Sequence, residues 1–164
     1  MLVPAQLYHD ELKRELIARW YEPRYSHYFA GERGSNDISD NAFWRRDFVY
    51  LDEDNKLAGY FGYAFNETSK SMINFGLIGF KKNNTRMIRE VLCHVRHMFT
   101  SGQAQRADFI AFADNPACKL YRRFAAQYGG DEVAHLHRVA YYDGSFHDTV
   151  MWEFLAENVL AALE

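Results

Sequence analysis

A change of hydrophobic period in the middle of the chain constrains its fold more than any other feature. Three strand-like runs, roughly 47–51, 57–65 and 71–80, are separated by polar stretches at 52–56 and 66–70 with hairpin-turn chemistry. The spacing then turns helical: Ile88, Val91, Leu92, Val95 and Phe99 share a face, and Gly102 closes the run. An alternating strand follows at 107–114. Strand, helix and strand in that order imply a parallel pair with a crossover helix between them. The expected fold class is therefore α/β (α+β). Its mixed sheet is mostly antiparallel, with a central parallel pair flanked by helices. The third run of the meander is the most apolar and is expected at the centre.

The flanks read more simply. Residues 8–20 place Leu12, Leu16, Ile17 and Trp20 at helical spacing, and Pro23 stops that helix. The aromatic stretch 22–32 is a second short helix or a turn, and 31–42 is a polar loop. After the strand at 107–114, Asn115 and Pro116 open a helix that Gly129 and Gly130 close. Two further strand runs surround Asp143-Gly144, a hairpin dipeptide. Residues 156–164 form a short helix or a frayed end.

The chain has 164 residues, room for one domain, and 48% of them are apolar, enough for a buried core. A net charge of -3 argues against nucleic acid as a partner. No apolar run is long enough to span a membrane, and the first residues turn charged too soon for a secretory signal. Cys93 and Cys118 lie far apart without a CxxC partner and read as reduced thiols of a cytoplasmic protein.

The segment DNPACKLYRRFAAQYGG at 114–130 combines Asn, Ala, Leu-Tyr and a terminal Gly. Placed after a meander, a polar loop, a helix and a strand, and before a hairpin, it resembles the GNAT superfamily of acetyl-coenzyme A-dependent N-acetyltransferases. The resemblance runs from about residue 48 to residue 154. The residues before it match loosely and lack the family's opening strand. The resemblance implies a single GNAT-like acetyltransferase domain over 1–164, with the parallel pair splayed into a cleft and acetyl-CoA as co-substrate.

Within that resemblance, backbone groups of Leu77, Ile78, Gly79 and Phe80 would meet the pantetheine amides, one N–H serving as an oxyanion donor. The loop and helix start formed by Lys81, Lys82, Asn83, Asn84, Thr85, Arg86 and Met87 would receive the pyrophosphate. The family's loop carries glycines that are missing here; Asn83 and Asn84 tolerate unusual backbone angles and can replace them. An ordinary charged helix start fits the same residues. Asn115 resembles the family asparagine that binds pantetheine, and it is equally a helix cap. Tyr121 would stand near the coenzyme sulfur and give a proton to the leaving thiolate; a packing tyrosine is the alternative.

Glu67, His135 and His137 could project from strand ends as bases, but the family often uses a water chain, and none is assigned. The pairs His94/His97 and His135/His137 lack a cysteine or acidic residue at zinc spacing. They read as surface or packing histidines, and no metal is expected. The aromatic group Trp20, Tyr21, Tyr25, Tyr28 and Phe29 is expected to pack the first helix and wall the acceptor side. The expected activity is acetyl transfer to a small-molecule or protein amine by direct attack, since neither cysteine lies in a catalytic motif. A homodimer is an admissible assembly. The missing loop glycines keep a second function open, a non-catalytic GNAT-like module binding CoA or a protein partner. A nucleic-acid adaptor is a third, opposed by the net charge.

Overall fold

In chain order the elements are β1 (Leu2–Pro4), a 3-10 turn (Ala5–Tyr8), α1 (His9–Arg19), a second 3-10 turn (Pro23–Tyr25) and α2 (Ser26–Phe29). Then come β2 (Arg45–Leu51), β3 (Leu57–Asn66), β4 (Ser71–Gly79), α3 (Thr85–Thr100) and β5 (Arg106–Phe112). The chain ends with α4 (Cys118–Tyr128), β6 (Gly130–Tyr142), β7 (Ser145–Leu155) and α5 (Ala156–Ala161). They are seen in a computed structural model that describes residues 1–29, 44–81 and 84–163; the polar loop expected at 31–42 lies outside these. The strands hydrogen-bond in the order β1-β2-β3-β4-β5-β7-β6. β4 and β5 form the parallel pair, registered at Ser71↔Arg106 and Met72↔Ala107.

The opening strand is a departure from expectation. β1 pairs antiparallel with β2, and Leu51 N–H donates to the Met1 carbonyl at 2.9 Å. Three residues ending in Pro4 carry no alternation to read, and proline is tolerated there because β1 is an edge strand.

Backbone contacts group the chain into two compact units: Met1–Phe65 with Phe75–His97, and Asn66–Asn74 with Met98–Glu164. In the first, Leu12 and Leu16 of α1 are buried with Val49, Leu51, Leu57, Tyr60, Ile78 and Phe80. Ile17, expected on the same stripe, is 52% exposed. It directly follows Leu16 and so points about 100° away from it around the helix. β3 is buried continuously from Leu57 to Phe65, as a strand covered on both faces must be.

In the second unit, Trp152 of β7 is fully buried and stacks on Phe109 of β5 at 5.3 Å between ring centroids. α4 starts at Cys118, later than Pro116, because 115–117 form a turn. The Asn115 side chain accepts the Ala117 N–H at 2.9 Å, and the Asn115 carbonyl accepts the Cys118 N–H at 2.9 Å. The β6–β7 hairpin turns at Asp143 and Gly144, both left-handed, as the dipeptide predicts. Farther along, β6 bulges. Leu136 is opposite Thr149 and Ala140 is opposite His147, so His137, Arg138 and Val139 all face Asp148. Cys93 is exposed, Cys118 is buried, and they are not paired. No described helix is long and apolar enough to cross a membrane.

Gly102 and Gly129 are both left-handed, with φ of 72° and 67°. A side chain at Gly102 would enter open space, whereas a Cβ at Gly129 would lie 2.8 Å from the Asn158 backbone carbonyl oxygen of α5. Gly102→Ala should lose about 1–2 kcal/mol to backbone strain alone. Gly129→Ala should lose a further 1–3 kcal/mol or so through the clash. Urea unfolding of the two variants tests this, and equal losses would mean that α5 yields.

Candidate functional site

The turn from β4 into α3 is pinned at both ends on one acceptor. Phe80 N–H donates to the Ala58 carbonyl of β3 at 2.9 Å, and the Asn84 side-chain NH2 reaches the same oxygen at 3.3 Å. The other half of that amide works on the helix. Asn84 Oδ1 accepts the Met87 N–H at 3.2 Å, and the Asn84 carbonyl accepts the Ile88 N–H at 3.3 Å. Asn84 is therefore the N-cap of α3. The adjoining Gly59 has no side chain to hold the helix off: a Cβ there would lie 2.4 Å from Met87 Sδ and 2.9 Å from the Ile78 carbonyl oxygen.

Capping satisfies the third amide of the first turn. Among the described residues, the N–H groups of Thr85 and Arg86 make no hydrogen bond. These first-turn groups carry the positive end of the helix dipole. Thr85 lines a hollow of about 230 Å³ together with Leu77, Gly79, Lys81, Asn84, Met87 and Ile88. The nearest atom to a Cβ built on Gly79 would be 3.6 Å away, so that glycine has room beside it. A second hollow, about 360 Å³, is lined by Tyr50, Asp52, Glu53, Asp54, Ala58, Lys81, Asn84, Thr85 and Arg86.

The cations of this region are already partnered. Lys81 is ion-paired with Asp52, and Arg86 with Glu53. Both carboxylates lie in the turn joining β2 and β3. Asp52 Oδ1 accepts the N–H groups of Asp54 at 3.0 Å and Lys56 at 2.9 Å, leaving Oδ2 to Lys81. The hydrogen bond between them lowers the Asp52 carboxyl below its ordinary range and raises the Lys81 ammonium above its own. The sequence reading missed Tyr50, Asp52, Glu53, Asp54 and Ala58. The acidic run was visible as a turn, but nothing in its spacing pointed to a lysine 29 residues away.

Of the expected cofactor residues, Leu77, Gly79, Lys81, Asn84, Thr85, Arg86 and Met87 come together around these two hollows. Ile78 and Phe80 belong to the core of the same unit. The Phe80 ring carries the Arg19 guanidinium at 4.7 Å, and its carbonyl accepts the Tyr25 hydroxyl at 3.5 Å. Lys82 and Asn83 lie outside the described residues. Asn115 and Tyr121 belong to the second unit.

Tyr121, on α4, has its ring edge-on to Phe109 at 5.0 Å and to Trp152 at 5.5 Å. Burial, with a smaller contribution from Cys118, pushes its phenol up to about 12. It is a protonated hydroxyl throughout the physiological range.

The other singled-out residues divide. Glu67 is exposed in the turn after β3. His94 packs against Phe48 at 4.8 Å and shares a 3.0 Å hydrogen bond with the Tyr63 hydroxyl. Burial lowers its imidazole pKa below the ordinary histidine range. Tyr25 is buried while Tyr21 is 93% exposed, so the aromatic group does not act as one wall; the Tyr28 and Phe29 side chains lie outside those described. His135 and His137 are exposed, as surface histidines would be, but they have an acidic partner that no zinc-motif spacing in the sequence indicates. Asp148 Oδ2, from β7, lies 3.2 Å from His135 Nε2 and 2.9 Å from His137 Nδ1.

No protein-family model matches the sequence, and no curated protein matches it. Solved structures do match its fold. Spermidine N-acetyltransferase from Vibrio cholerae, in complex with CoA and spermine, superposes with a TM-score of 0.68 at 20% identity. That match covers 98% of this chain and 97% of the other. A point mutant of the same enzyme gives 0.71 at 21% identity, covering 100% and 99%. An acetyltransferase from Salmonella typhimurium, which modifies the N-terminal serine of ribosomal protein L7/L12, gives 0.70 at 14% identity, covering 94% and 93%.

Asn84→Ala removes both the α3 cap and the tie to Ala58. It should cost about 1–2 kcal/mol in denaturant unfolding. Asn84→Asp keeps the capping acceptor and should recover most of that loss. If aspartate is no better than alanine, the Ala58 tie outweighs the cap.

Proposed function

We propose that this chain, which has the GNAT acetyltransferase fold, is an N-acetyltransferase that moves the acetyl group of acetyl-CoA onto an amine by direct attack. The proposal treats 1–164 as one acetyltransferase domain acting in the cytoplasm on a small-molecule or protein amine. The observation that carries it is the start of α3. Thr85 lines a hollow bordered by Leu77 and Gly79 of the strand that precedes the helix, and Thr85 and Arg86 both line the hollow beside it. Unsatisfied helix-start amides favour an anion such as a pyrophosphate. The strand-end groups of Leu77, Ile78 and Gly79 serve the pantetheine arm; the Phe80 N–H is already taken by Ala58. Asn115 shapes the turn before α4 through its side-chain oxygen, and its amide NH2 is the group that a pantetheine amide would meet.

In the reaction, the neutral amine forms its bond to the thioester carbonyl carbon and the carbon–sulfur bond breaks. The electron pair leaves on sulfur and the amine proton passes to water. Tyr121 donates its hydroxyl hydrogen bond to the departing sulfur. A second reading, a non-catalytic module that binds CoA or a protein partner, draws on the pairing of Lys81 and Arg86 with carboxylates.

Acetyl transfer across a panel of primary amines separates the two readings. Turnover of any amine supports the enzyme, and coenzyme binding without turnover supports the module. On an accepted amine, Tyr121→Phe should lower the maximal rate by roughly 10–100-fold, the worth of a hydrogen bond to a charged group. Coenzyme affinity should stay nearly unchanged. An unaltered rate would remove Tyr121 from the mechanism.

The acidic turn yields a separate expectation. Replacing both Asp52 with Asn and Glu53 with Gln releases Lys81 and Arg86 for the phosphates. Calorimetry should show acetyl-CoA binding about two- to fivefold tighter at low salt, with a steeper salt dependence, since exposed ion pairs are individually weak. Unchanged affinity would assign phosphate binding to the backbone amides alone.

A further inference from the structure

We propose that His135, His137 and Asp148 form a binding site on the β6–β7 hairpin for a divalent first-row transition cation, with Zn²⁺ as the representative ion. Their ligand atoms all lie within 4.8 Å of one another. Ligands of a tetrahedral zinc with bonds of about 2.0–2.1 Å stand about 3.4 Å apart. The two nitrogen–carboxylate separations, 3.2 and 2.9 Å, are slightly shorter than that spacing. Only a small closure of the two rings, now stacked at 4.9 Å between centroids, is needed.

The backbone is shaped around this cluster. On a regular ladder His137 would not share Asp148 with two neighbours. The bulge in β6 sets His137, Arg138 and Val139 against Asp148, and Arg138 takes a left-handed φ of 56°, uncommon for a side-chain-bearing residue. The Arg138 N–H then donates to Asp148 Oδ1 at 2.8 Å. That bond orients the carboxylate and leaves Oδ2 facing both imidazoles, the kind of outer support that metal-binding carboxylates receive. The Arg138 guanidinium lies over the Phe146 ring, at 4.4 Å.

The donor set chooses the ion. Two neutral imidazoles and one carboxylate carry a net charge of -1, suited to a dication. Imidazole favours zinc, copper and nickel over magnesium and calcium. Both histidines are exposed, so water can complete the coordination. A bound ion would tie the outermost strand β6 to β7 across the bulge.

The test is calorimetric titration of the full chain, free of any affinity tag, with Zn²⁺, followed by thermal unfolding. The expected result is one Zn²⁺ per chain and a higher unfolding temperature with Zn²⁺ but not with Mg²⁺. His137→Ala and His135→Ala should each weaken zinc binding at least tenfold, while His97→Ala leaves it unchanged. Asp148→Asn, which keeps an acceptor for Arg138, should weaken it comparably, and circular dichroism checks that each variant is folded. Absence of zinc binding at millimolar concentration would overturn the proposal. So would unchanged affinity in the folded His135 and His137 variants. Neither result bears on acetyl transfer.

Discussion

The candidate site depends on the Ala58 carbonyl. A buried strand carbonyl must find a donor, because leaving it unpaired costs about 1–3 kcal/mol. Here it finds two, the Phe80 amide and the Asn84 side chain, which stand on either side of the turn leading into α3. The turn is closed by the strand beneath it. Gly59, the next residue, lets the helix settle until Met87 meets bare backbone. The position of the helix start, and hence of its first amides, follows from two small residues on β3. The loop glycines of the GNAT superfamily, which the sequence resembles, are therefore not needed here to position the helix. Asn84 does that by capping the helix it introduces.

The charges at this helix start have a different status from its amides. Lys81 and Arg86 are exposed and paired with carboxylates that are themselves near solvent. Such pairs are worth little in water and weaken with salt, so an arriving phosphate can displace them at small cost. The Thr85 and Arg86 amides need no displacement among the described residues, and the helix holds their direction. Under the proposed reading, backbone dipoles would supply the geometry of an anion site, and the side chains would tune its strength. The Asp52–Lys81 and Glu53–Arg86 pairs also give the cations a defined arrangement before any ligand arrives.

What could be read from sequence was what repeats locally. The meander, the crossover helix and the Asp143-Gly144 hairpin have clear periods or turn residues, and each stands within a residue or two of its expected place. β1 escaped because three residues hold no period. α4 began late because the Asn115 side chain bonds to Ala117 and makes a turn where a helix cap was read. The larger omissions are partnerships between distant residues. Asp52 meets Lys81, and Asp148 meets two histidines, through strand pairing that sequence spacing does not encode. For Asp148 the register itself is shifted by the bulge, so ideal strand alternation would still have misplaced it. The Leu-Tyr motif singled out Tyr121, but motif alone did not reveal that Phe109 and Trp152 pack against its partly buried ring.

That packing limits what Tyr121 can do. A phenol pushed up to about 12 cannot act as a base near neutral pH, so in the proposed reaction the proton on the attacking amine would leave by another route. It is also a weak acid toward sulfur. An ordinary thiol ionises near 8.5, and a gap of more than three units makes full proton transfer to a water-exposed thiolate unfavourable by about 4–5 kcal/mol. A hydrogen bond requires no such transfer. It strengthens as negative charge builds on sulfur, and the low polarity that raises the phenol also makes an unassisted thiolate costlier. In the proposed reaction, the same burial that disqualifies Tyr121 as a base would make its hydroxyl more valuable as a donor. The ring contacts with Phe109 and Trp152 bring about that burial, and they also hold the ring in place.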